Sequence, residues 1–227
     1  MMAPGKTRIK ICGITSLQDA LLAMDAGADL LGFIFVPGTP RHLTPEQAAD
    51  ILRALPKGAV QTVGVFQDAD RDFLDRHVTK LPLDAMQLHG SEKPETLNQT
   101  ALPVIKRLPL TDSFDWPVFG PWRRAALWLL DPPKGVSVNW ADVEIPPPPE
   151  GSPPVLLAGG LTPENVMITL NRFPWAAGVD VASGVEASPG RKDPDKVRAF
   201  CQTIHPPCLP DDLTAMLYPA VQNQPTD

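Results

Sequence analysis

Short apolar runs rich in β-branched residues alternate along most of the chain with segments whose apolar positions recur at helical spacing. The short runs predict strands, and the periodic segments predict helices. The predicted strands are residues 8–12, 30–36, 59–66, 84–88, 104–107, 125–130, 155–158 and 179–182. The predicted helices are residues 17–26, 44–55, 70–79, 92–99, 163–170 and 193–204.

Signals at two helix ends support these boundaries. Thr44 is a favourable N-cap, Pro45 suits the first helical position, and Gln47 completes a capping-box pattern. Gly27 directly follows the first predicted helix, where glycine commonly ends a helix.

The order of the elements predicts an α/β fold, a single (β/α)8 TIM barrel. Eight strands, most of them followed by a helix, match the number that closes such a barrel. Helix five is expected to be missing or irregular because residues 108–122 carry prolines and aromatic residues without helical periodicity, and a sixth helix near residues 140–144 would be short. A doubly wound open sheet is the alternative, but it commonly has five or six strands and a glycine-rich phosphate loop, and no G-x-G-x-x-G or Walker A motif occurs.

The proline distribution divides the chain into two parts. The 227 residues include 28 prolines, with clusters at 132–133, 146–149 and 153–154 and in the segment from 206 onward. Proline interrupts helices and central strands, so the clusters before residue 204 are expected to be rigid connections. We predict a barrel domain at residues 1–204 and a Pro-rich C-terminal tail at residues 205–227.

Charge and composition exclude several classes of partner. The formal net charge is −6 and no basic run exceeds the pair Arg123 and Arg124, so no nucleic-acid partner is expected. The apolar runs are shorter than the about 20 residues that span a bilayer, and the N-terminus lacks the apolar core of a secretory signal. Three cysteines, at positions 12, 201 and 208, do not form a disulfide framework, which favours the cytoplasm. The four histidines show no metal-ligand spacing, so no metal is expected.

Polar residues and glycines lie at or just after the predicted strand ends. Active sites of TIM barrels lie at the C-terminal ends of the strands. The residues at these ends are Cys12, Arg41, Gln87, His89, Asp131, Gly159, Gly160, Asp180, Ser183 and Gly184. We expect them to meet at one mouth of the barrel.

Two glycine-containing loops follow the last two predicted strands. Gly159 and Gly160 form one, and Ser183 and Gly184 lie in the other. Loops at these places commonly bind phosphate through backbone N–H groups, and glycine allows the backbone to approach closely. One glycine pair alone could be an ordinary turn, but two loops at neighbouring strand ends favour a phosphate site.

Four side chains could supply acid–base chemistry or bind an anion. A Cys12 thiolate could accept a proton from carbon, although a buried cysteine is commonly a small apolar residue. Asp131 could be an acid or a helix cap, and Pro132 directly after it disfavours capping. Arg41 could bind a carboxylate with its forked guanidinium or be an exposed loop charge. For His89, packing against its neighbours is the more common role.

Ten short motifs occur in one order between residues 8 and 204. They are Lys-Ile-Cys-Gly-Ile-Thr at 10–15, Gly-Phe-Ile-Phe at 32–35, Thr-Pro-Arg at 39–41, Val-Gly-Val-Phe at 63–66, Gln-Leu-His-Gly at 87–90, Leu-Leu-Asp at 129–131, Leu-Ala-Gly-Gly-Leu at 157–161, Pro-Glu-Asn at 163–165, Asp-Val-Ala-Ser-Gly-Val-Glu at 180–186 and Gly-Arg-Lys-Asp at 190–193. In combination they resemble the phosphoribosylanthranilate isomerase family of tryptophan biosynthesis. Any one of these motifs alone would be weak evidence for the family.

The resemblance implies a cofactor-free Amadori rearrangement of N-(5'-phosphoribosyl)anthranilate to 1-(2-carboxyphenylamino)-1-deoxyribulose 5-phosphate. It implies that Asp131, with a raised pKa, is the general acid that protonates the ribose ring oxygen. It implies that Cys12 is the general base that removes the C2 proton. The remaining implied contacts are Arg41 to the anthranilate carboxylate, Gln87, His89 and Asp180 to the substrate, and Gly159, Gly160, Ser183 and Gly184 to the phosphate. The protein is expected to be a monomer or a homodimer.

The chain departs from the family pattern at two places. The sequence Pro-Pro-Lys-Gly-Val-Ser-Val-Asn-Trp at 132–140 stands where the family commonly has a glycine-rich loop, and Ala182 precedes Ser183 where two serines are common. A catalytically silent phosphate-binding barrel is therefore one alternative. A related ribose-phosphate isomerase of histidine biosynthesis is another, but such an enzyme would carry Asp at position 12.

Overall fold

A computed structural model describes residues 6–133, 135–136 and 138–206. Eight parallel strands pair in chain order and close into a barrel, with β8 returning to β1, as the order of the elements predicts. The strands are β1 (Arg8–Cys12), β2 (Leu30–Ile34), β3 (Gln61–Phe66), β4 (Ala85–Leu88), β5 (Val104–Pro109), β6 (Leu127–Asp131), β7 (Val155–Ala158) and β8 (Gly178–Val181). A short antiparallel hairpin of β9 (Glu186–Ser188) and β10 (Arg191–Lys192) follows β8.

Within the described residues, five α-helices pack around the barrel. They are α1 (Leu17–Asp25), α2 (Pro45–Ala54), α3 (Arg71–Lys80), α4 (Val166–Arg172) and α5 (Pro194–Ile204). The capping box of α2 is confirmed, because Thr44 and Gln47 each accept a hydrogen bond from the other's backbone N–H. Gly27 has φ +101°, a left-handed conformation that favours glycine after α1.

Alternation of side chains along the strands separates two apolar layers. One small cluster fills the barrel interior, and a larger cluster lies between the strands and the helices. In β1, Ile9 and Ile11 belong to the outer layer, so Lys10 and Cys12 point into the barrel. The same alternation aims the polar residues of other strands inward, which builds the site described below.

The structure differs from the predicted helices at three places. Residues 92–99 contain a single 3-10 segment, Pro94–Asn98, and Lys93 before it is extended, as the residue before a proline commonly is, so no helix begins at residue 92. Helix α4 begins at Val166 instead of residue 163, since the Asn165 side chain accepts from the Thr162 N–H and donates to the Gly160 carbonyl, which holds this segment as a loop. Within the described part of residues 132–154 no helix forms.

The predicted irregularity of helix five is confirmed. Only a 3-10 segment, Trp116–Trp122, lies between β5 and β6, and Pro121 lies inside it. Trp116 and Trp122 are both buried, and the Trp116 indole donates to the Pro146 carbonyl. Aromatic packing therefore covers this side of the barrel in place of a helix.

The last helix is joined to the first strand. The ring Nε2 of His205 lies 2.8 Å from the carbonyl oxygen of Thr7, directly before β1. Most of the predicted tail, from residue 207 to 227 and including Cys208, lies outside the described residues. None of the helices between residues 6 and 206 has the length and apolar character needed to cross a bilayer.

Candidate active site

One cavity of about 580 Å³ opens at the C-terminal ends of the strands. All ten residues that were predicted from strand ends line it: Cys12, Arg41, Gln87, His89, Asp131, Gly159, Gly160, Asp180, Ser183 and Gly184. The ends of β1, β4, β6, β7 and β8 and the loops after them contribute these residues, except Arg41, which lies in the loop after β2. The fold therefore brings together groups that lie far apart in the chain.

Asp131 ends β6 and points into the cavity. Trp128 and Leu130 belong to the outer apolar layer, so alternation along the strand turns Asp131 inward. Burial raises the pKa of its carboxyl to about 6, although the Arg107 guanidinium, whose Nε lies 3.7 Å from Oδ2, opposes this shift. A carboxyl with this pKa can hold a proton near neutral pH, as a general acid requires.

His89 lies beside the acid and is uncharged. Burial, with a further contribution from the positive charge of Arg107, lowers the pKa of His89 to about 4. The 3.5 Å separation between its Nε2 and Oδ2 of Asp131 is therefore not a salt bridge at neutral pH. Its Nδ1 lies 3.0 Å from Nε2 of the almost fully buried Gln87, which fixes the ring. Oε1 of Gln87 has no hydrogen-bond partner among the described residues.

Cys12 ends β1 at the base of the cavity with 5% of its surface exposed. Burial raises the pKa of the thiol, and the ammonium of Lys10 opposes that rise. Lys10 is fully buried and pairs with Asp180 across the β1–β8 ladder, with 2.9 Å between Nζ and Oδ1. The predicted substrate-binding residue Asp180 is thus also the counter-ion of a lysine inside the barrel.

Arg41 reaches the cavity from the loop after β2 and is held by Glu186. Its Nε and Nη2 donate to the two carboxylate oxygens of Glu186 at 2.7 and 2.6 Å. Burial alone would raise the pKa of Glu186, but Arg41 and Lys192 lower it below its usual value. The guanidinium is thus fixed in a forked ion pair at the cavity wall, with Nη1 outside that pair.

The two glycine-containing loops approach each other closely. Gly159 and Gly160 have φ of +93° and +67°, a conformation that favours glycine. A Cβ on Gly184 would lie only 1.8 Å from the Leu161 carbonyl oxygen, so a larger residue cannot occupy this position without a backbone shift. The Gly160 N–H has no acceptor among the described residues. These loops therefore present backbone to the cavity, as an anion site requires.

The loop after Asp131 is anchored at both of its ends. The Arg107 Nη2 donates to the Pro132 carbonyl at 2.9 Å, and the Trp140 indole donates to the Gly159 carbonyl at 2.8 Å. This stretch departs from the family pattern, and its residues Lys134 and Ser137 lie outside the described residues. The anchors tie its ends to the acid and to the glycine loop.

Three charged residues of the site were not predicted: Lys10, Arg107 and Glu186. Lys10 lies two residues before Cys12 on the same strand, so the period of two could have placed it on the same face. Arg107 ends a predicted strand and could have been found by the criterion that found Asp131. Glu186 belongs to a quoted motif, but its pairing with Arg41 joins residues 145 positions apart and has no local signal.

We predict that replacing Arg107 with Met raises the pKa of Asp131 above its value of about 6. The substitution removes the positive charge that favours the carboxylate, while burial still disfavours it. Titration of the Asp131 carboxyl by carbon-13 NMR measures this shift, with Arg107→Lys as the charge-conserving control. An unchanged or lower pKa in Arg107→Met would contradict the electrostatic account of the site.

Comparison with known proteins agrees with the geometry. Residues 9–203 match the family model of N-(5'-phosphoribosyl)anthranilate (PRA) isomerase. The N-(5'-phosphoribosyl)anthranilate isomerase of Geobacter sulfurreducens is 45% identical over 201 residues, which cover 85% of this chain and 96% of the relative. The crystal structure of the phosphoribosyl anthranilate isomerase of Thermotoga maritima is 35% identical with a TM-score of 0.80, and the match covers 87% of this chain and 98% of that one.

A second solved structure contains a bound ligand. It is a phosphoribosyl anthranilate isomerase in complex with reduced 1-(o-carboxyphenylamino)-1-deoxyribulose 5-phosphate, 34% identical with a TM-score of 0.76 over 87% of this chain and 98% of that one. The family match covers every residue that was predicted for the site, and all eight strands except Arg8 at the start of β1. The chain belongs to the N-(5'-phosphoribosyl)anthranilate isomerase family.

Proposed function

We propose that this chain converts N-(5'-phosphoribosyl)anthranilate to 1-(2-carboxyphenylamino)-1-deoxyribulose 5-phosphate, the isomerisation step of tryptophan biosynthesis, with Asp131 as acid and Cys12 as base. The observation that carries these roles is the meeting of a carboxyl of pKa about 6 and a buried thiol in one cavity. The carboxyl can hold a proton near neutral pH, as the acid step requires, and the ammonium of Lys10 favours the thiolate that the base step requires. The glycine loops of the same cavity suit a phosphate.

The first step is proton transfer from Asp131 to the ribose ring oxygen. The bond between C1 and this oxygen breaks, the anthranilate nitrogen supplies electrons to C1, and an iminium forms. Asp131 becomes a carboxylate 3.7 Å from the Arg107 Nε, which stabilises the charge left behind. Burial favours the protonated carboxyl before the transfer, and Arg107 stabilises the carboxylate after it. The two opposing effects on the pKa of Asp131 therefore both assist this step.

The second step is proton abstraction from C2 by the Cys12 thiolate. The iminium makes this proton acidic, and the electron pair of the C–H bond moves toward the nitrogen to give an enolamine. Cys12 becomes a thiol, and the enolamine tautomerises to the ketone of the product. One proton leaves Asp131 and one arrives on Cys12, so the two steps balance without an external oxidant or reductant.

The remaining residues of the cavity bind the non-reacting groups. Arg41 receives the anthranilate carboxylate, and the backbone of Gly159, Gly160, Ser183 and Gly184 receives the phosphate. Gln87, His89 and Asp180 face the ribose. The unpartnered Oε1 of Gln87 supports this assignment, because a substrate hydroxyl would satisfy it.

The reaction is tested by proton NMR on N-(5'-phosphoribosyl)anthranilate generated in situ. The proposal predicts that the anomeric proton signal is lost and that a C1 methylene signal appears as wild-type enzyme is added. Persistence of the anomeric signal, with the compound bound, would contradict it and support a silent phosphate-binding barrel. Lack of both binding and turnover would remove this substrate altogether.

Replacing Arg41 with Ala is expected to raise KM by roughly 10- to 100-fold with a smaller effect on kcat, because charge-assisted hydrogen bonds contribute about 1.5–3 kcal/mol. Steady-state kinetics of isomerisation measure both constants. Arg41→Lys retains the charge without the forked geometry and serves as the matched control. An unchanged KM in Arg41→Ala would contradict the assigned carboxylate contact.

The organisation of the whole chain follows from the same proposal. Residues 1–204 form the catalytic barrel, and residues 205–227 are an accessory tail. The small-molecule substrate is the only partner that the function requires, and the protein acts in the cytoplasm as a monomer or homodimer. The free thiols of Cys12 and Cys201 support a reducing compartment.

A further inference from the structure

A buried ion pair lies inside the barrel directly below the thiol. The ammonium of Lys10 is fully buried, and Asp180 beside it is 8% exposed. The two residues are partners in the β1–β8 ladder, and their charged atoms are 2.9 Å apart. Burying two charges is costly, and such a pair seldom adds stability over apolar residues of the same size. A role in chemistry is therefore the more economical explanation.

The geometry places this lysine next to Cys12. Both side chains point inward from β1, and Cys12 pairs in register with Gly32 of β2. A Cβ built on Gly32 would lie 2.7 Å from the Cys12 Sγ and 3.1 Å from the Lys10 Nζ. The sulfur and the ammonium therefore border the same small space, and only a glycine at position 32 leaves that space open.

We propose that Lys10 is a positioning residue whose ammonium, held by Asp180, stabilises the thiolate of Cys12 in the isomerisation. The inference rests on the proposed function, because it gives the base of that reaction its charge partner. Burial disfavours the thiolate of Cys12, and the ammonium of Lys10 offsets part of that effect. Asp180 has a second effect, since its negative charge opposes the thiolate while it holds Lys10 in place.

The other charged groups around Cys12 do not replace Lys10. Lys192 of β10 lies near, but its Nζ donates to the Cys12 carbonyl at 2.6 Å and pairs with Glu186 at 3.2 Å. Arg41 also lies near and is held by Glu186. Among these cations, Lys10 opposes the burial-driven rise in the pKa of the Cys12 thiol most strongly, while Asp180 adds to that rise.

The signs of these effects give a direct test. Lys10→Met and Asp180→Asn break the same ion pair. A purely structural effect would therefore change the rate of Cys12 alkylation in the same direction in both variants. The electrostatic role predicts that the two variants change the alkylation rate in opposite directions. The rate of Cys12 alkylation by iodoacetamide is measured from pH 6 to 11 on the full chain, without substrate. Mass spectrometry of the Cys12 peptide separates it from Cys201 and Cys208.

The expected order of alkylation rates at pH 8 is Asp180→Asn above wild type and wild type above Lys10→Met, with at least about a tenfold loss in Lys10→Met. Lys10→Arg should restore most of the rate, because it returns the charge. The double variant Lys10→Met with Asp180→Asn leaves no unpaired buried charge and should lie between the single variants. Circular dichroism verifies folding of each.

Two results would overturn the inference. One is alkylation of Lys10→Met at the wild-type rate, and the other is a slower rate in both single variants. The alkylation rates are measured without turnover, so failure of the proposed function is detected separately. Full activity in Cys12→Ser would show that Cys12 is not the base, even if the alkylation rates changed as expected. The expected changes in alkylation rate, together with loss of isomerase activity in Lys10→Met, would support both the proposed function and the role of Lys10.

Discussion

Asp131→Asn is expected to lower kcat at least about 100-fold while making the protein more stable at pH 8. The loss of activity follows because the amide cannot protonate the ribose ring oxygen. The gain in stability follows because a neutral side chain avoids the cost of an ionised carboxyl at a buried position. Activity and stability would thus move in opposite directions at one residue.

The sign of the stability change follows from the pKa of Asp131. The value rises from 3.8 in the unfolded chain to about 6 in the folded protein, so the folded state binds the proton more tightly. The stability of the wild type therefore falls as pH rises from about 4 to about 6, by about 3 kcal/mol. The variant lacks this loss, so at pH 8 its free energy of unfolding should be about 2–3 kcal/mol higher.

Urea denaturation at pH 8 and at pH 4, with isomerase kinetics beside it, measures both effects. The stability difference should be large at pH 8 and small at pH 4. Asp112→Asn on the exposed loop after β5 is the matched control and should change neither quantity. A variant that is less stable than wild type at pH 8 would show that Asp131 is ionised at little cost, and near-normal kcat would remove it as the acid.

Cys12→Ser is expected to keep the fold and lower kcat at least about 100-fold. Serine is nearly isosteric, and the site is almost fully buried, so packing changes little. A serine hydroxyl is a far weaker acid than a thiol and is not ionised near neutral pH, so the proton on C2 has no acceptor. Steady-state turnover with a thermal melt separates the chemical effect from a loss of structure.

Cys201→Ser is the matched control for that variant. Cys201 is also a free and buried cysteine, but it lies on α5 in the outer apolar layer, away from the cavity. The Cys201→Ser substitution should lower the free energy of unfolding slightly and leave kcat unchanged. Near-normal kcat in Cys12→Ser, or an equal loss in both variants, would contradict the role of Cys12 as base.

The sequence predicts the barrel well because each strand has a strong local signal. The strand bounds at Arg8–Cys12 and Val155–Ala158 agree with the prediction, and the capping box at Thr44 and Gln47 starts α2 as expected. The errors occur where tertiary contacts outweigh local preference. Asn165, for instance, satisfies loop groups and delays the start of α4.

The sequence predicts that the candidate residues lie at one mouth of the barrel, but it does not predict their charge pairs. Strand ends converge in any TIM barrel, so the sequence alone predicts that Cys12 and Asp131 lie at one mouth. The charged residues that shift the pKa values of these two groups could not be predicted in this way. The pairing of Lys10 with Asp180 spans 170 positions and depends on the register of β1 against β8, which no local pattern specifies.

The most direct measurement of the central claim is turnover of N-(5'-phosphoribosyl)anthranilate, generated in situ and followed by loss of its fluorescence, with wild type and Cys12→Ser side by side. The account predicts rapid loss of fluorescence with wild type and collapse of the rate in the variant. Equal rates in the two proteins would contradict Cys12 as the base. Binding without turnover in wild type would contradict the isomerase and direct attention to the loop at 132–140.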